Sequence, residues 1–257
     1  MMKKALADGT LKGIQITRNC PKLSHLMFAD DAIFFLDGNL TECQNIAQIL
    51  SQYCYATGQA INLNKSGVVF SGNCPEALKH NLATQLRVPI LQKTGKYLGI
   101  PTEWGHSKKE LFAWILARVN AKLAGWKEKL LTKAGKEVLI KSVVQSIPTY
   151  AMSIFKLPVS ICRAIEQRIA SFWWQNGDAK RGMHWKRWEV LKTRKDEGGL
   201  GFKDLLTFNR AMLGKQVWRL ATSPSALWSK VMKGFISPTV TSGQRQRDTD
   251  PHGVGIV

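Results

Sequence analysis

The sequence predicts an α+β fold in which a β-hairpin and its helices come first, a basic helical bundle second and a disordered tail last. Three observations predict it. Residues 21–36, Pro-Lys-Leu-Ser-His-Leu-Met-Phe-Ala-Asp-Asp-Ala-Ile-Phe-Phe-Leu, set two apolar, β-prone runs on either side of an acidic pair. That is the pattern of a hairpin with Asp30 and Asp31 at its turn. After His106 the apolar residues step by three or four, as on one face of a helix. Beyond Pro238 the apolar pattern stops and Thr, Ser, Gly, Gln, Arg and Asp take over, a composition that buries too little surface to offset chain entropy.

Each element follows in order. The hairpin runs are nearly continuous rather than alternating, so one face of the sheet is expected to be covered and the other to line a cleft. Thr41 with Gln44 reads as a capping box for a helix presenting Ile46, Ile49, Leu50, Tyr53 and Cys54. Gly58 stands where a left-handed residue ends such a helix. Strands are expected at 60–63 and 67–71, a short helix at 76–86 and a short strand at 96–101, closed by proline. Ser107 with Glu110 opens the next helix, whose core stripe is Leu111, Ile115, Val119, Leu123, Trp126 and Leu130. Lys108, Lys109, Arg118, Lys122, Lys127 and Lys129 fall mostly on its other faces. A second helix is expected over 134–146, stopped by Pro148. A third starts at Pro158 and presents Ile161, Ile165, Ile169 and Phe172. Residues 176–203 read as loop, and 208–220 as a further helix. The domain boundaries expected from this pattern are 1–105, 106–175, 176–236 and 237–257.

Composition narrows the function classes. With 257 residues, 44% of them hydrophobic, and nine Trp and ten Phe, the chain can build a sizeable core. It contains no uncharged apolar run of the roughly 20 residues a membrane span needs, and the start lacks the apolar region of a secretory signal. Five scattered cysteines without a C-x-x-C pair read as reduced thiols of an intracellular protein. The net charge is +19, which points to polyanionic partners. The excess is concentrated: residues 108–141 hold nine Lys and Arg against three Glu, and residues 180–195 hold seven against one.

The chemistry-bearing residues are few. Two carboxylates on a tight turn repel one another unless a cation sits there. An oxygen-only site of this kind suits Mg²⁺, which accepts one or two carboxylates plus substrate phosphates. A solvated hairpin tip is the plain alternative. His25 reads as a structural histidine rather than a ligand. Trp126 and Trp173 read as packing. Trp185 and Trp188, interleaved with Lys186 and Arg187, read equally well as base-stacking groups or as a segment docked on the helical bundle.

Several motifs carry a resemblance. Leu23-Ser24-His25-Leu26-Met27-Phe28-Ala29-Asp30-Asp31 resembles the catalytic hairpin of reverse transcriptases of non-LTR (LINE-type) retrotransposons, particularly those of plant genomes. Residues 57–66, Thr-Gly-Gln-Ala-Ile-Asn-Leu-Asn-Lys-Ser, look like the palm motif that follows. Tyr97-Leu98-Gly99-Ile100-Pro101 looks like the primer-grip hairpin, and Leu123-Ala124-Gly125-Trp126-Lys127 with residues 140–148 like the thumb. Gly198-Gly199-Leu200-Gly201 and Asn209-Arg210-Ala211-Met212-Leu213 fit the segment beyond it. The resemblance spans roughly residues 10–236. It implies a partial palm over 1–105, a helical thumb over 106–175 and a basic segment over 176–236. It implies RNA-directed DNA synthesis, with Asp30 and Asp31 as Mg²⁺ ligands and Tyr97, Leu98 and Gly99 holding the primer end. Lys108, Lys109, Arg118, Lys122, Lys127 and Lys129 would track an RNA template paired with a DNA primer. Lys65 matches a lysine proposed in such enzymes to neutralise the leaving pyrophosphate, although a solvated loop lysine explains it better. The resemblance also implies a nuclear location. The family's third catalytic carboxylate and its fingers precede the point that Met1 matches, so a truncated portion, inactive alone, is expected. A non-catalytic nucleic-acid-binding module or a non-functional relic is the alternative.

Overall fold

The computed structural model describes residues 1–92, 95–101, 108–127, 131–175, 183–236 and 253–256. In chain order the elements are α1 (Met2–Ala7), β1 (His25–Phe28), β2 (Asp31–Asp37), α2 (Leu40–Thr57), β3 (Val68–Phe70), α3 (Glu76–Leu86), β4 (Lys96–Tyr97) and β5 (Ile100–Pro101). They continue with α4 (Lys108–Leu111), α5 (Ala113–Lys127), α6 (Lys133–Leu139), a π-helical turn at Ile140–Val144, α7 (Thr149–Ile154) and α8 (Val159–Trp174). The last are α9 (Trp188–Lys192), α10 (Leu205–Thr222), α11 (Leu227–Ile236) and β6 (Gly253–Ile256). The fold is mixed α and β and mostly helical. Two units form, Met1–Leu98 with Ser223–Val257, and Gly99–Thr222.

In the first unit an antiparallel sheet runs in the order β1-β2-β6-β3. Phe34 and Leu36 of β2, Val68 of β3, Cys43 and Ile46 of α2, and Leu82 and Ala83 of α3 form its core. The helix expected after the hairpin forms, but its cap is Asn39 rather than the Thr41 box. The Asn39 Oδ1 accepts the Glu42 N–H at 2.8 Å. That leaves the Glu42 carboxylate to accept the Lys12 N–H at 2.8 Å and the Asp37 N–H at 2.6 Å. One side chain, 3% exposed, thus ties the segment before the hairpin to the end of β2 and the start of α2. Gly58 closes α2 at φ 70°, as its position predicts.

Two expectations fail in this unit. Residues 60–63 form no strand. The Asn62 carbonyl instead accepts the Lys65 and Ser66 N–H groups, so the chain turns, and Ile61 and Leu63 are left exposed. The second concerns the tail 237–257, which the sequence predicts to be disordered. Its residues 253–256 instead form β6, paired to Phe34–Asp37 of β2 on one side and to β3 on the other. Four residues alternating Gly with Val or Ile suffice, because the backbone N–H and C=O groups of both neighbours supply the bonds. Residues 237–252 and 257 lie outside the described residues.

The second unit has one core. Ile115, Val119 and Leu123 of α5, Ile140 and Val144 of the π turn, and Ile161, Ile165, Ile169 and Phe172 of α8 meet there, as the helical spacing predicts. Leu191, Phe202 and Leu205 join the same core, so the described part of 176–222 packs with the helices rather than standing apart. The helix expected over 134–146 starts as α6 and finishes through the π-helical turn; α7 then begins directly after Pro148. Asn209 of α10 holds the end of α7 and the connection that follows it: its Nδ2 donates to the Met152 and Phe155 carbonyls, and its Oδ1 accepts the Leu157 N–H. The Gly198-Gly199-Leu200-Gly201 turn lies on the backbone of 191–194. Gly199 N–H donates to Arg194 O, Leu200 N–H to Leu191 O and Gly201 N–H to Thr193 O. A Cβ on Gly199 would overlap the Thr193 carbonyl, and Gly198 and Gly201 sit at φ 82° and 67°.

Candidate functional site

The register Phe28↔Asp31 leaves Ala29 and Asp30 as a two-residue turn between β1 and β2. Ala29 sits at φ 53°, a conformation that costs a residue with a Cβ and that collects at functional turns. Asp30 is at the tip and Asp31 opens β2, and both are exposed. The strands beside them are not equally covered. Ile33, Phe34 and Leu36 of β2 are buried, whereas Leu26, Met27 and Phe28 of β1 are exposed. The covered face expected of the hairpin is therefore found on β2 and not on β1. Its reason is position: β1 is an edge strand with β2 as its partner. His25 Nδ1 lies 2.8 Å from the Ser24 hydroxyl, the satisfied structural histidine the sequence suggests.

Among the described residues, no group of three or more His, Cys, Asp and Glu side chains is placed to hold a metal ion. Asp30 and Asp31 stand at the turn as two adjacent exposed carboxylates. Lys65 stands exposed on the turn that follows Asn62, with no ion pair to Asp30 or Asp31. Tyr97–Gly99 spans a tight hairpin between β4 and β5, with Leu98 at φ 50° and Gly99 at φ 79°, the doubly left-handed turn that suits the twist of a two-residue loop.

Of the six basic residues singled out in the helical region, Lys109, Arg118 and Lys122 are exposed. Arg118 and Lys122 each precede a buried residue of α5, Val119 and Leu123, so they share one flank of the helix, a turn apart. The side chains of Lys108 and Lys127, and Lys129 altogether, lie outside the described residues.

No family model matches the chain. Over 146 residues it is 37% identical to a protein of Arabidopsis thaliana named "Putative ribonuclease H protein", covering 57% of this chain and 22% of that protein. Over 94 residues it is 38% identical to an uncharacterized mitochondrial protein of Arabidopsis thaliana, covering 36% of this chain and 61% of the relative. The chain thus spans less than two thirds of the length of either curated relative.

Several basic side chains do structural work that helical spacing alone cannot reveal. Lys133 and Lys136 sit in the first turn of α6, the end where the helix dipole disfavours cations. They reach instead to the C-terminal carbonyls of α8. Lys133 Nζ donates to Trp173 O at 2.7 Å, and Lys136 Nζ to Phe172 O and Gln175 O. Burial lowers the pKa of both ammonium groups, and for Lys136 the neighbouring Lys133 adds to it. Lys192 bridges Asp204 at 2.6 Å and Glu166 at 3.4 Å. Asp204 also caps α10 by accepting the Thr207 N–H. Burial pushes the Asp204 carboxyl up, but the hydrogen bonds from Lys192 and Thr207 outweigh it and hold it down at about 2. The tryptophans separate. Trp126 lies 6.1 Å from Phe172, and Trp173 is buried. Trp188 stacks on Phe202, while Trp185 is exposed.

Proposed function

We propose that the chain is the catalytic-hairpin and thumb portion of a reverse transcriptase, an RNA-directed DNA polymerase, of a non-LTR retrotransposon. The observation that carries this reading is the acidic turn: two adjacent carboxylates presented to solvent at the tip of a hairpin, on a backbone that holds Ala29 at positive φ. Asp30 and Asp31 would hold Mg²⁺, whose chemistry when bound is to neutralise phosphate oxygens on the attacking and leaving sides of a nucleotidyl transfer. The Tyr97–Gly99 turn would bear on the primer end. Lys109, Arg118 and Lys122 would take backbone phosphates of the RNA template and DNA primer, since a charge on a helix flank contacts phosphate without reading sequence. A relative named for ribonuclease H supports a nucleic-acid partner. Copying into chromosomal DNA would place the work in the nucleus.

A second reading, a non-catalytic nucleic-acid-binding module, has its own support. No third donor joins Asp30 and Asp31 among the described residues, and positioning two ions needs more than two carboxylates. Two measurements test the pair. In a Mn²⁺ titration followed by NMR, resonances of residues 28–32 should broaden at metal concentrations in roughly the millimolar range, and Asp30→Asn should abolish the broadening; equal broadening in both proteins would sink the metal site. With template–primer, dNTPs and Mg²⁺, the 257-residue chain is expected to make no product. Extension that vanishes in Asp30→Ala would refute the non-catalytic reading.

A further inference from the structure

Residues 183–187 form an exposed strip held at both ends. At one end His184 lies against Trp174, with ring centroids 5.9 Å apart and planes inclined by 31°. At the other, Trp188 stacks on Phe202 at 4.9 Å and 15°, and Phe202 is fixed in the core. Between these anchors Trp185 is 77% exposed, and Met183, just before the first of them, is 71% exposed. Lys186 and Arg187, the next two residues, are exposed as well. Scattered apolar side chains on a surface need no explanation. An indole left in water while the rings on either side of it are docked is different. Ring contacts of His184 and Trp188 thus tie the chain on both sides of Trp185, whose own indole stands in solvent.

The chemistry of the strip selects its occupant. A flat π face beside two cations matches a group that carries both a flat π face and a negative charge within a few ångströms, which is an unpaired nucleotide. A duplex offers phosphates but keeps its base faces inside its own stack. An apolar peptide would want a groove rather than one ring among charges. We infer that Trp185, with Lys186 and Arg187, is a stacking platform for an unpaired base of a single-stranded nucleic acid. The inference rests on the nucleic-acid reading given above and adds to it a preference for unpaired strand at this site.

The test measures fluorescence anisotropy of the full chain with two labelled probes, a single-stranded DNA of mixed sequence without self-complementarity and a blunt RNA–DNA hybrid. Trp185→Ala should weaken single-strand binding on the order of tenfold, the size of one lost stack. It should leave hybrid binding and the salt dependence of both unchanged, because no charge is removed. Trp185→Tyr, which keeps an aromatic face, should retain most of the single-strand affinity. Equal melting temperatures of the three proteins establish that the exposed position does not affect folding. The platform is overturned if Trp185→Ala binds the single strand as the wild type does, if it loses equally on the hybrid, or if Trp185→Tyr is as weak as Trp185→Ala. It is also overturned if the substitution matters only for binding to vesicles of phosphatidylserine and phosphatidylcholine. If the wild type binds neither probe at low salt, the nucleic-acid reading itself falls. If it binds both and Trp185→Ala changes nothing, only the platform falls.

Discussion

Ala29 is the residue on which the acidic turn depends most directly. Its side chain is exposed, so a substitution there changes backbone preference with little change in packing. At φ 53° a Cβ costs about 1–2 kcal/mol relative to glycine, partly returned by the smaller entropy loss of alanine on folding. Ala29→Gly should therefore leave stability equal or raise it by up to about 1 kcal/mol, whereas the β-branched Ala29→Val should lower it by about 1–2 kcal/mol. Urea unfolding monitored on the hairpin resonances gives the order, and a valine variant as stable as the wild type would mean that the turn is not held left-handed. The identity of the acidic pair was legible in the sequence because an apolar run on each side isolates it. The strain at Ala29 was not, because alanine in a turn carries no signal of positive φ.

At the scale of elements, helix ends decide how the second unit is assembled. α6 begins with lysines where its own dipole disfavours them, and they serve the carbonyl end of α8 instead. The start of α10 is served by Asp204, whose partner Lys192 lies on α9 and also reaches Glu166 on α8. Asp204 sits at about 2 against an ordinary value of 3.8. A carboxylate with a folded-state pKa below its unfolded one stabilises the fold above the unfolded value and loses that contribution as pH falls through the folded one. The contribution should thus be intact above about pH 4 and lost toward pH 2. It amounts to about 1 kcal/mol once the partial exposure of Asp204 is allowed for. Thermal melts between those limits should show a shallower fall for Asp204→Asn than for the wild type; identical pH profiles would remove Asp204 from the account. The helices themselves were legible from apolar spacing. Their caps were not always: Asn39, not the Thr41 box, caps α2, and the Glu42 carboxylate serves the Lys12 and Asp37 amides, partners 30 and five residues away.

For the whole molecule the governing quantity is a net charge of +19, and its consequence is salt dependence. Each phosphate contact releases condensed counterion, which contributes about −0.7 to −0.9 to the slope of log affinity against log salt. Arg118 and Lys122 are exposed on one flank of α5. Replacing both with Gln should make the slope for an RNA–DNA hybrid shallower by about 1.5 and weaken all sequences alike. Anisotropy at several salt concentrations measures it. A double variant that keeps the wild-type slope, while folded by circular dichroism, would show that these charges only solubilise the helix.

By itself the sequence determined the mixed α and β character, the place of the acidic turn, the core stripes of α5 and α8 and the excess of basic charge, because each is written in local spacing and composition. Tertiary structure decided which aromatic residues are free: Trp185 and Trp188 flank the same Lys-Arg pair, and only contact with Phe202 separates them. It decided that residues 60–63 turn rather than extend, since a strand needs a neighbour to bond to. It decided likewise that 253–256 become the strand between β2 and β3, because the backbone groups that order those four residues belong to chain some 180 or more positions away.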